Sequence, residues 1–338
     1  MNKTVSIIIP CRNEAEYIEK CVVSILNCNY PQELLSIYVC DGLSDDNTRN
    51  IISTIAKSNT NVHLIDNQKK STPYGLNLGL KKCNASIKII LSAHATIHSD
   101  FIAENLNSLS LDKKIGCTGG VIENVYENET AEIIGLAMSS PFGVGNAHFR
   151  TGKKDGYVDT VAFGAYKKEI FDQIGYFDED LDRNQDDEFN FRLLKNGFKI
   201  YLSSNIKSKY YVRGAYTKLF KQYYQYGYWK VFVNKKHKTI TTARQLVPLF
   251  FVLFLFAGPL IGLIDIRLLI LWCFIGIIYD VSALFFALKT TTQTSKAIKV
   301  AFTFLILHFS YGIGYLRGLV NFIIFGKSPS NKNATLSR

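Results

Sequence analysis

Three acids stand in a row within Asn184-Gln185-Asp186-Asp187-Glu188-Phe189-Asn190-Phe191-Arg192. Adjacent carboxylates repel and lose solvation when they leave water, so a chain groups them on a wet surface or where one must take a proton. Taken alone, the run has two readings. One is a solvated helix start, where acids also complement the helix dipole. The other is a general base in a cleft, since a carboxylate within reach of a weak nucleophile can share its proton in the transition state.

A second set of polar residues follows four apolar runs. The loops are Cys11-Arg12-Asn13-Glu14, Asp41-Gly42-Leu43-Ser44-Asp45-Asp46, Asn67-Gln68-Lys69-Lys70 and Ser92-Ala93-His94-Ala95. The runs before them, Val5 to Pro10, Leu35 to Cys40, Val62 to Ile65 and Ile87 to Leu91, read as core strands. Between the first two, Ile18, Cys21, Val22 and Ile25 fall on one helical face. Asp45, Asp46 and Asn47 supply cap chemistry for a helix carrying Ile51, Ile52 and Ile55, and Pro73 opens a third. The β-α-β-α-β-α-β order predicts an α/β fold, a mostly parallel sheet with helices on both faces. Such sheets bind ligands beyond the carboxyl ends of their strands, where these four loops lie. Gly116 to Val121, Val158 to Ala165 and Lys199 to Leu202 predict strands that extend the sheet into a mixed one. Gly143, Gly145 and Gly152 mark a loop between the first two.

Several classes are excluded. The first strand is not followed by G-x-G-x-x-G, and no G-x-x-x-x-G-K-[ST] occurs, which argues against dinucleotide-binding oxidoreductases and P-loop enzymes. The seven cysteines are scattered, with neither zinc spacing nor a disulfide framework, as buried free thiols in a reducing compartment would be. Val5 to Pro10 is too short for a signal peptide.

The net charge of +11 is localised. No Asp or Glu occurs between Phe189 and Ile264, a span with thirteen Lys and Arg interleaved with tyrosines and Trp229. Basic plus aromatic residues suit nucleic acid or an anionic bilayer surface. The apolar run that follows favours the bilayer, and no nucleic acid is expected as a partner. Leu246 to Ile264 is uncharged and about 28 Å long as a helix, enough to span. Leu268 to Leu288 is a second span, and Ile298 to Phe325 either spans or lies in the interface. The expected domains are therefore 1–240, with a basic-aromatic juxtamembrane segment, a membrane region of two to three helices over 246–325, and a polar tail over 326–338. Lys289, Lys296 and Lys299 place the loop after the second span, and with it the large domain, on the cytoplasmic side. Asp280, inside the second span, is expected to pair with His308 or Arg317.

Ser6-Ile7-Ile8-Ile9-Pro10-Cys11-Arg12-Asn13-Glu14 resembles the opening of the inverting, nucleotide-sugar-dependent glycosyltransferases of family 2, which have the GT-A fold. Tyr38 to Thr48 resembles that family's second signature. Gly164-Ala165-Tyr166, Gly175-Tyr176-Phe177-Asp178-Glu179 and Gln185 to Arg192 resemble its acceptor-side region. Membrane-bound exopolysaccharide enzymes of the succinoglycan type are the most similar branch. The resemblance covers roughly residues 4–240.

The resemblance implies roles. Asp186 would be the base that deprotonates an acceptor hydroxyl for in-line displacement. Pro10, Arg12, Glu14 and Asp41 would hold base and ribose, and Lys69 or Lys70 the diphosphate. Asp187, Glu188, Gln222, Tyr226 and Trp229 would contact the acceptor. A divalent cation, Mn²⁺ or Mg²⁺, would be held at His94. Here Ser92-Ala93-His94 replaces the family's D-x-D, which weakens binding of a hard metal; Lys69, Lys70 or Arg213 would then share the diphosphate's charge. The implied partners are a nucleotide-sugar donor, a lipid-linked or glycan acceptor and a membrane. The implied location is multi-pass in the cell (inner) membrane with a cytoplasmic catalytic domain. Single-sugar addition in cell-surface glycan synthesis is favoured over processive synthesis. The alternative is a non-catalytic or metal-independent subunit of a glycan assembly complex.

Overall fold

A computed structural model describes residues 3–152, 155–241 and 243–328. The first half runs β1 (Val5–Cys11), α1 (Ile18–Leu26), β2 (Leu35–Asp41), α2 (Thr48–Ser58), β3 (Val62–Asp66), α3 (Thr72–Lys82), β4 (Ile87–Ile90), β5 (Ala95–Ile97), α4 (Phe101–Ser110) and β6 (Ile115–Val125). Then come α5 (Glu129–Met138), α6 (Pro141–Val144), α7 (His148–Thr151), β7 (Gly156–Val158), β8 (Ala162–Lys167), α8 (Lys168–Ile174), α9 (Gln185–Lys195) and β9 (Lys199–Tyr211). Long helices finish the chain: α10 (Tyr216–His237), α11 (Val247–Gly262), α12 (Ile266–Leu288) and α13 (Thr294–Gly318). The chain divides into two compact units, one of residues 1–125 and 147–211, the other of 126–146 and 212–338.

The first unit is the sheet. Its strand order is β3-β2-β1-β4-β8-β6-β9-β5, with β7 on β9. β1 to β4 pair in parallel, as the alternating pattern predicts, and β8 runs antiparallel to both β4 and β6. The core follows the pleat of β1, whose neighbouring side chains point to opposite faces. Ile7 and Ile9 join the cluster holding Ile18, Cys21, Val22 and Ile25 of α1. Ile8 joins the cluster holding Leu76 and Leu80 of α3, Phe171 of α8, and Phe189 and Leu193 of α9. Helices thus cover both faces.

The stretch 158–165, expected as one strand, divides into β7 and β8, with Phe163 at φ 50° in the left-handed region. The glycine-marked segment, expected as loop, is largely helical. Asn128 caps α5 by accepting from the Ala131 N–H at 2.8 Å, and Ser140 with Pro141 starts α6. Gly145 (φ 62°) and Gly152 (φ 63°) serve as helix terminators.

The second unit is helical. Ala243–Gly262, Ile266–Leu288 and Thr294–Ile324 are long and apolar enough to cross a membrane. Phe250, Phe256, Ile270, Phe274, Ile277 and Val281 expose their side chains on α11 and α12, a surface that water disfavours and lipid accepts. α10 runs beside α13 in the same direction, from Tyr216 near Phe302 to Lys235, which donates to the Phe322 carbonyl at 2.7 Å. Lys296 and Lys299 pair with Glu132 and Glu129 of α5, each at 2.7 Å.

The expected pairing of Asp280 is not formed. His308 accepts from the Tyr279 hydroxyl at Nδ1 (2.9 Å) and donates from Nε2 to the Phe142 carbonyl (2.9 Å), so both ring nitrogens are used. Arg317 bonds the Tyr224 hydroxyl, and Asp280 is exposed on α12. Of the polar tail 326–338, residues 329–338 lie outside the described residues.

Candidate functional site

The loops after β1 and β2 are knitted together. The Asn13 N–H donates to Ser44 Oγ (2.8 Å), the Asp45 N–H to Asn13 Oδ1 (3.1 Å) and the Glu14 N–H to Thr48 Oγ1 (2.8 Å). Three loops meet at Gly42. A Cβ added there would lie 3.3 Å from Arg12 Cβ and Cδ and 3.4 Å from Lys70 Cα, so a larger residue would crowd the Arg12 side chain. Asn13 (φ 56°), Leu43 (φ 53°) and Lys70 (φ 57°) all adopt left-handed backbone here. Non-glycine residues pay for that conformation, and it clusters at functional sites.

Asp41 is fully buried. Its carboxylate accepts from Arg49 Nη1 (2.6 Å), from the Ser44 N–H (2.9 Å) and from the Ser44 hydroxyl. Arg49 also reaches Asp66 at 2.7 Å, tying β2 to β3. Asp41 is thus largely occupied in holding its own loop. Arg12 Nε is buried without a hydrogen-bond partner. Pro10 sits in β1 opposite Cys40.

Lys69 and Lys70 are both exposed. The Lys69 ammonium is 2.9 Å from Glu179 and lies over the Tyr74 ring at 4.3 Å. Asn77 of α3 fixes the segment carrying Glu179. Its side chain accepts from the Phe177 N–H (3.0 Å) and donates to the Phe177 carbonyl (2.8 Å) and to Glu179 Oε1 (3.1 Å). Burial works against the Glu179 charge, but hydrogen bonds from Lys69 and Asn77 outweigh it and hold the carboxyl below the ordinary glutamate range.

At the end of β4, His94 Nδ1 lies 3.3 Å from Glu14 Oε1, and Ser92 Oγ lies 3.1 Å from Nε2. The imidazole meets the Tyr210 ring at 5.2 Å, a contact set by the pairing of Ala95 with Tyr210 between β5 and β9. Among the described residues no three His, Cys, Asp or Glu side chains group to hold a metal ion. What is present is one imidazole whose Nδ1 faces a carboxylate. That is how metal-ligating histidines are commonly oriented when Nε2 binds the ion. Nε2 already meets Ser92 Oγ, so these residues offer at most one ligand to an ion, and only in place of that contact.

Asp186 is exposed in the first turn of α9, after Asn184 in left-handed backbone (φ 62°). Its Oδ1 accepts from the Asp187 N–H at 2.9 Å. Asp187 is half-buried. Glu188, expected among acceptor contacts, is 1 % exposed and clamped to Arg192 at 2.7 Å and 2.8 Å. Arg192 also donates to the Ile174 and Tyr176 carbonyls, which pins α9 to the segment after α8. Burial pushes the Tyr166 phenol well above its ordinary pKa, with Cys117 and then the Asp186 charge adding to the shift. Asp186 is therefore within electrostatic reach of β8.

Gln222, Tyr226 and Trp229 belong to α10 in the second unit. Gln222 is buried and donates to the Tyr226 hydroxyl at 2.7 Å. Trp229 is fully buried beside Tyr228 and Phe322. Sequence reasoning assigned no role to Glu179, though it quoted the motif containing it, and none to Arg49, Asn77 or Arg150. Glu179 and Asn77 meet partners about a hundred residues away in the chain, and no spacing rule finds them.

Residues 6–175 match the family model for glycosyl transferase family 2. The chain is 33 % identical, over 94 % of its length and 97 % of the relative's, to the dolichyl N-acetyl-alpha-D-glucosaminyl phosphate 3-beta-D-2,3-diacetamido-2,3-dideoxy-beta-D-glucuronosyltransferase of Methanococcus voltae. It is 26 % identical, over 94 % of its length and 95 % of the relative's, to the succinoglycan biosynthesis protein ExoA of Rhizobium meliloti (strain 1021). Its fold is similar to that of a Pyrobaculum calidifontis mannosyltransferase solved with GDP-Man and Mn²⁺, with a TM-score of 0.63 at 18 % identity, covering 90 % of this chain and 88 % of that one.

Proposed function

Because the chain belongs to glycosyltransferase family 2, we propose that it transfers one sugar from a nucleotide-sugar donor to a lipid-linked acceptor, with inversion and with Asp186 as the base. The carrying observation is the convergence of Arg12, Gly42 and Lys70 at the carboxyl ends of β1 to β3, with the Glu14–His94 contact beside them. That is where a parallel sheet receives a nucleotide. Arg12 and the loop braced by Asp41 would cradle base and ribose, with Pro10 and Glu14 shaping its floor, and Lys70 would approach the diphosphate. Lys69 would hold Glu179, and with it the 175–179 segment, against that pocket.

The acceptor hydroxyl would attack the anomeric carbon as its proton passes to Asp186, and the bond to the diphosphate would break in line. Asp187 would contact the acceptor, and Glu188 would position α9 through Arg192. His94, backed by Glu14, would hold a divalent cation. Such an ion supplies charge neutralisation to the diphosphate when bound. A lipid-linked acceptor is favoured by the Methanococcus relative, whose name specifies a dolichyl phosphate sugar. The apolar helices are assigned to a multi-pass inner-membrane location with residues 1–240 cytoplasmic and residues 246–325 in the membrane.

A donor screen in membranes tests the function. UDP-, GDP- and dTDP-sugars are supplied with and without Mn²⁺, and released nucleotide is measured. Release from at least one donor, dependent on added lipid acceptor, is expected. No release from any donor would contradict it.

A further inference from the structure

Arg150 closes the short helix α7, where its N–H donates to the Ala147 carbonyl at 2.8 Å. Its guanidinium lies 5.5 Å from the Phe149 ring and 5.5 Å from the Tyr210 ring, within cation–π range of both. The Tyr210 ring meets the His94 imidazole at 5.2 Å, so a single ring separates Arg150 from His94. Phe149 packs against the apolar cluster that contains Tyr166 and Phe189. Phe189 lies one turn after Asp186 in α9. Residues 149 and 150 therefore touch both the His94 surroundings and the support of the proposed base.

Arg150 Nη1 is buried and has no hydrogen-bond partner. Among the described residues no carboxylate pairs with Arg150. A buried donor on a cation is costly to leave unmade, and a protein keeps one where a ligand supplies the acceptor. An oxyanion answers that need. The planar guanidinium matches phosphate with two parallel hydrogen bonds, which an ammonium cannot reproduce. Lys69, by contrast, already has Glu179 as its partner at 2.9 Å.

We propose that Arg150 is a phosphate-binding residue of this site. The inference rests on the function proposed above, in which two ligands bring phosphate: the donor's diphosphate and a polyprenyl phosphate acceptor. On the donor, the acceptor oxygen bonds to the anomeric carbon while the carbon–oxygen bond to the diphosphate breaks. The electron pair leaves on the diphosphate oxygen and the proton goes to Asp186. The guanidinium would meet the charge that appears on the departing group. On the acceptor, Arg150 would anchor the lipid phosphate and leave its sugar hydroxyl near the base.

The test uses the full chain in detergent with Arg150→Met and Arg150→Lys. Affinity for UDP and GDP, and separately for farnesyl phosphate, is measured by calorimetry. Arg150→Met is expected to weaken one class of probe by about tenfold or more, with Arg150→Lys recovering part of it. Loss confined to nucleoside diphosphate assigns the donor, and loss confined to farnesyl phosphate assigns the acceptor. Affinities within twofold of wild type for both probes overturn the proposal. If Arg150→Met does not fold, Arg150→Gln, which removes the charge and keeps a polar side chain, decides by the same criterion. Asp186→Asn serves as the control. It should keep both affinities, so a failed base assignment is read in turnover and a failed Arg150 assignment in binding. Wild-type chain that binds neither probe overturns both.

Discussion

Arg192 grips the buried carboxylate of Glu188 with two parallel contacts, Nε to Oε1 at 2.7 Å and Nη2 to Oε2 at 2.8 Å. One turn of helix separates the two residues, and the same guanidinium also bonds the carbonyls of Ile174, which ends α8, and of Tyr176 just beyond it. Removing the arginine would leave a 1 % exposed carboxylate without its cation. Arg192→Met should therefore cost about 3 kcal/mol. Denaturant unfolding of the purified chain checks this, and an unchanged midpoint would refute the clamp.

The Lys69–Glu179 pair sets a pH window. Glu179 is held below its ordinary value of 4.5, so its contribution is present above that pH and fades as pH falls through the lowered value. Lys69 is raised above 10.5 by the same bond, so its contribution is present below that pH and is lost as pH rises through the raised value. Lys69→Met should lower thermal stability at neutral pH, and the loss should shrink as pH falls through the lowered Glu179 value. A loss that stays constant across the whole acid range would exclude the pairing as a source of stability.

The glycines where α10 meets α13 admit no side chain. A Cβ on Gly314 would lie 2.0 Å from the Tyr224 carbonyl oxygen, and one on Gly227 2.0 Å from that of Tyr311. Gly314→Leu must push the two helices apart, and overpacking of this kind costs about 1–3 kcal/mol. A fall in the melting temperature in detergent, larger than for Gly276→Leu, where the added atom meets nothing within 4 Å, is the expected result. Equal melting temperatures would mean the helices do not pack this way.

The parallel half of the sheet was legible because apolar runs and helical periodicity alternate cleanly from Val5 to Leu91. The order of β8, β6 and β9 was not, since a mixed sheet is settled by long-range pairing that leaves no linear trace. The helices over 129–151 escaped because α6 and α7 are too short for a period, and their glycines act as terminators. At the site, the acidic run and the four loops were visible as residue types. What each side chain grips was not. Asp41 is occupied by Arg49 and Ser44, Glu188 by Arg192, and His94 faces a glutamate eighty residues earlier. The His308 partners could not be read either, because Phe142 contributes a carbonyl rather than a side chain.

Thiol chemistry offers a further check. Six cysteines are buried and Cys273 is exposed on α12. Burial raises the thiol of Cys40 to about 12 and that of Cys28 to about 11, so both stay protonated near pH 8. None of the six buried thiols should react with maleimide in the native chain in detergent, so Cys273→Ser should stay unlabelled. Labelling of that variant in its folded state would contradict the burial.

The central claim is that Asp186 takes the acceptor's proton. The direct test is Asp186→Asn in the full chain, with transfer and nucleoside diphosphate affinity measured side by side. Turnover should fall by about 10²–10⁴-fold, the usual share of a general base, while affinity stays within twofold of wild type. Transfer within a few-fold of wild type would contradict the claim and return the acidic run to a solvated helix start.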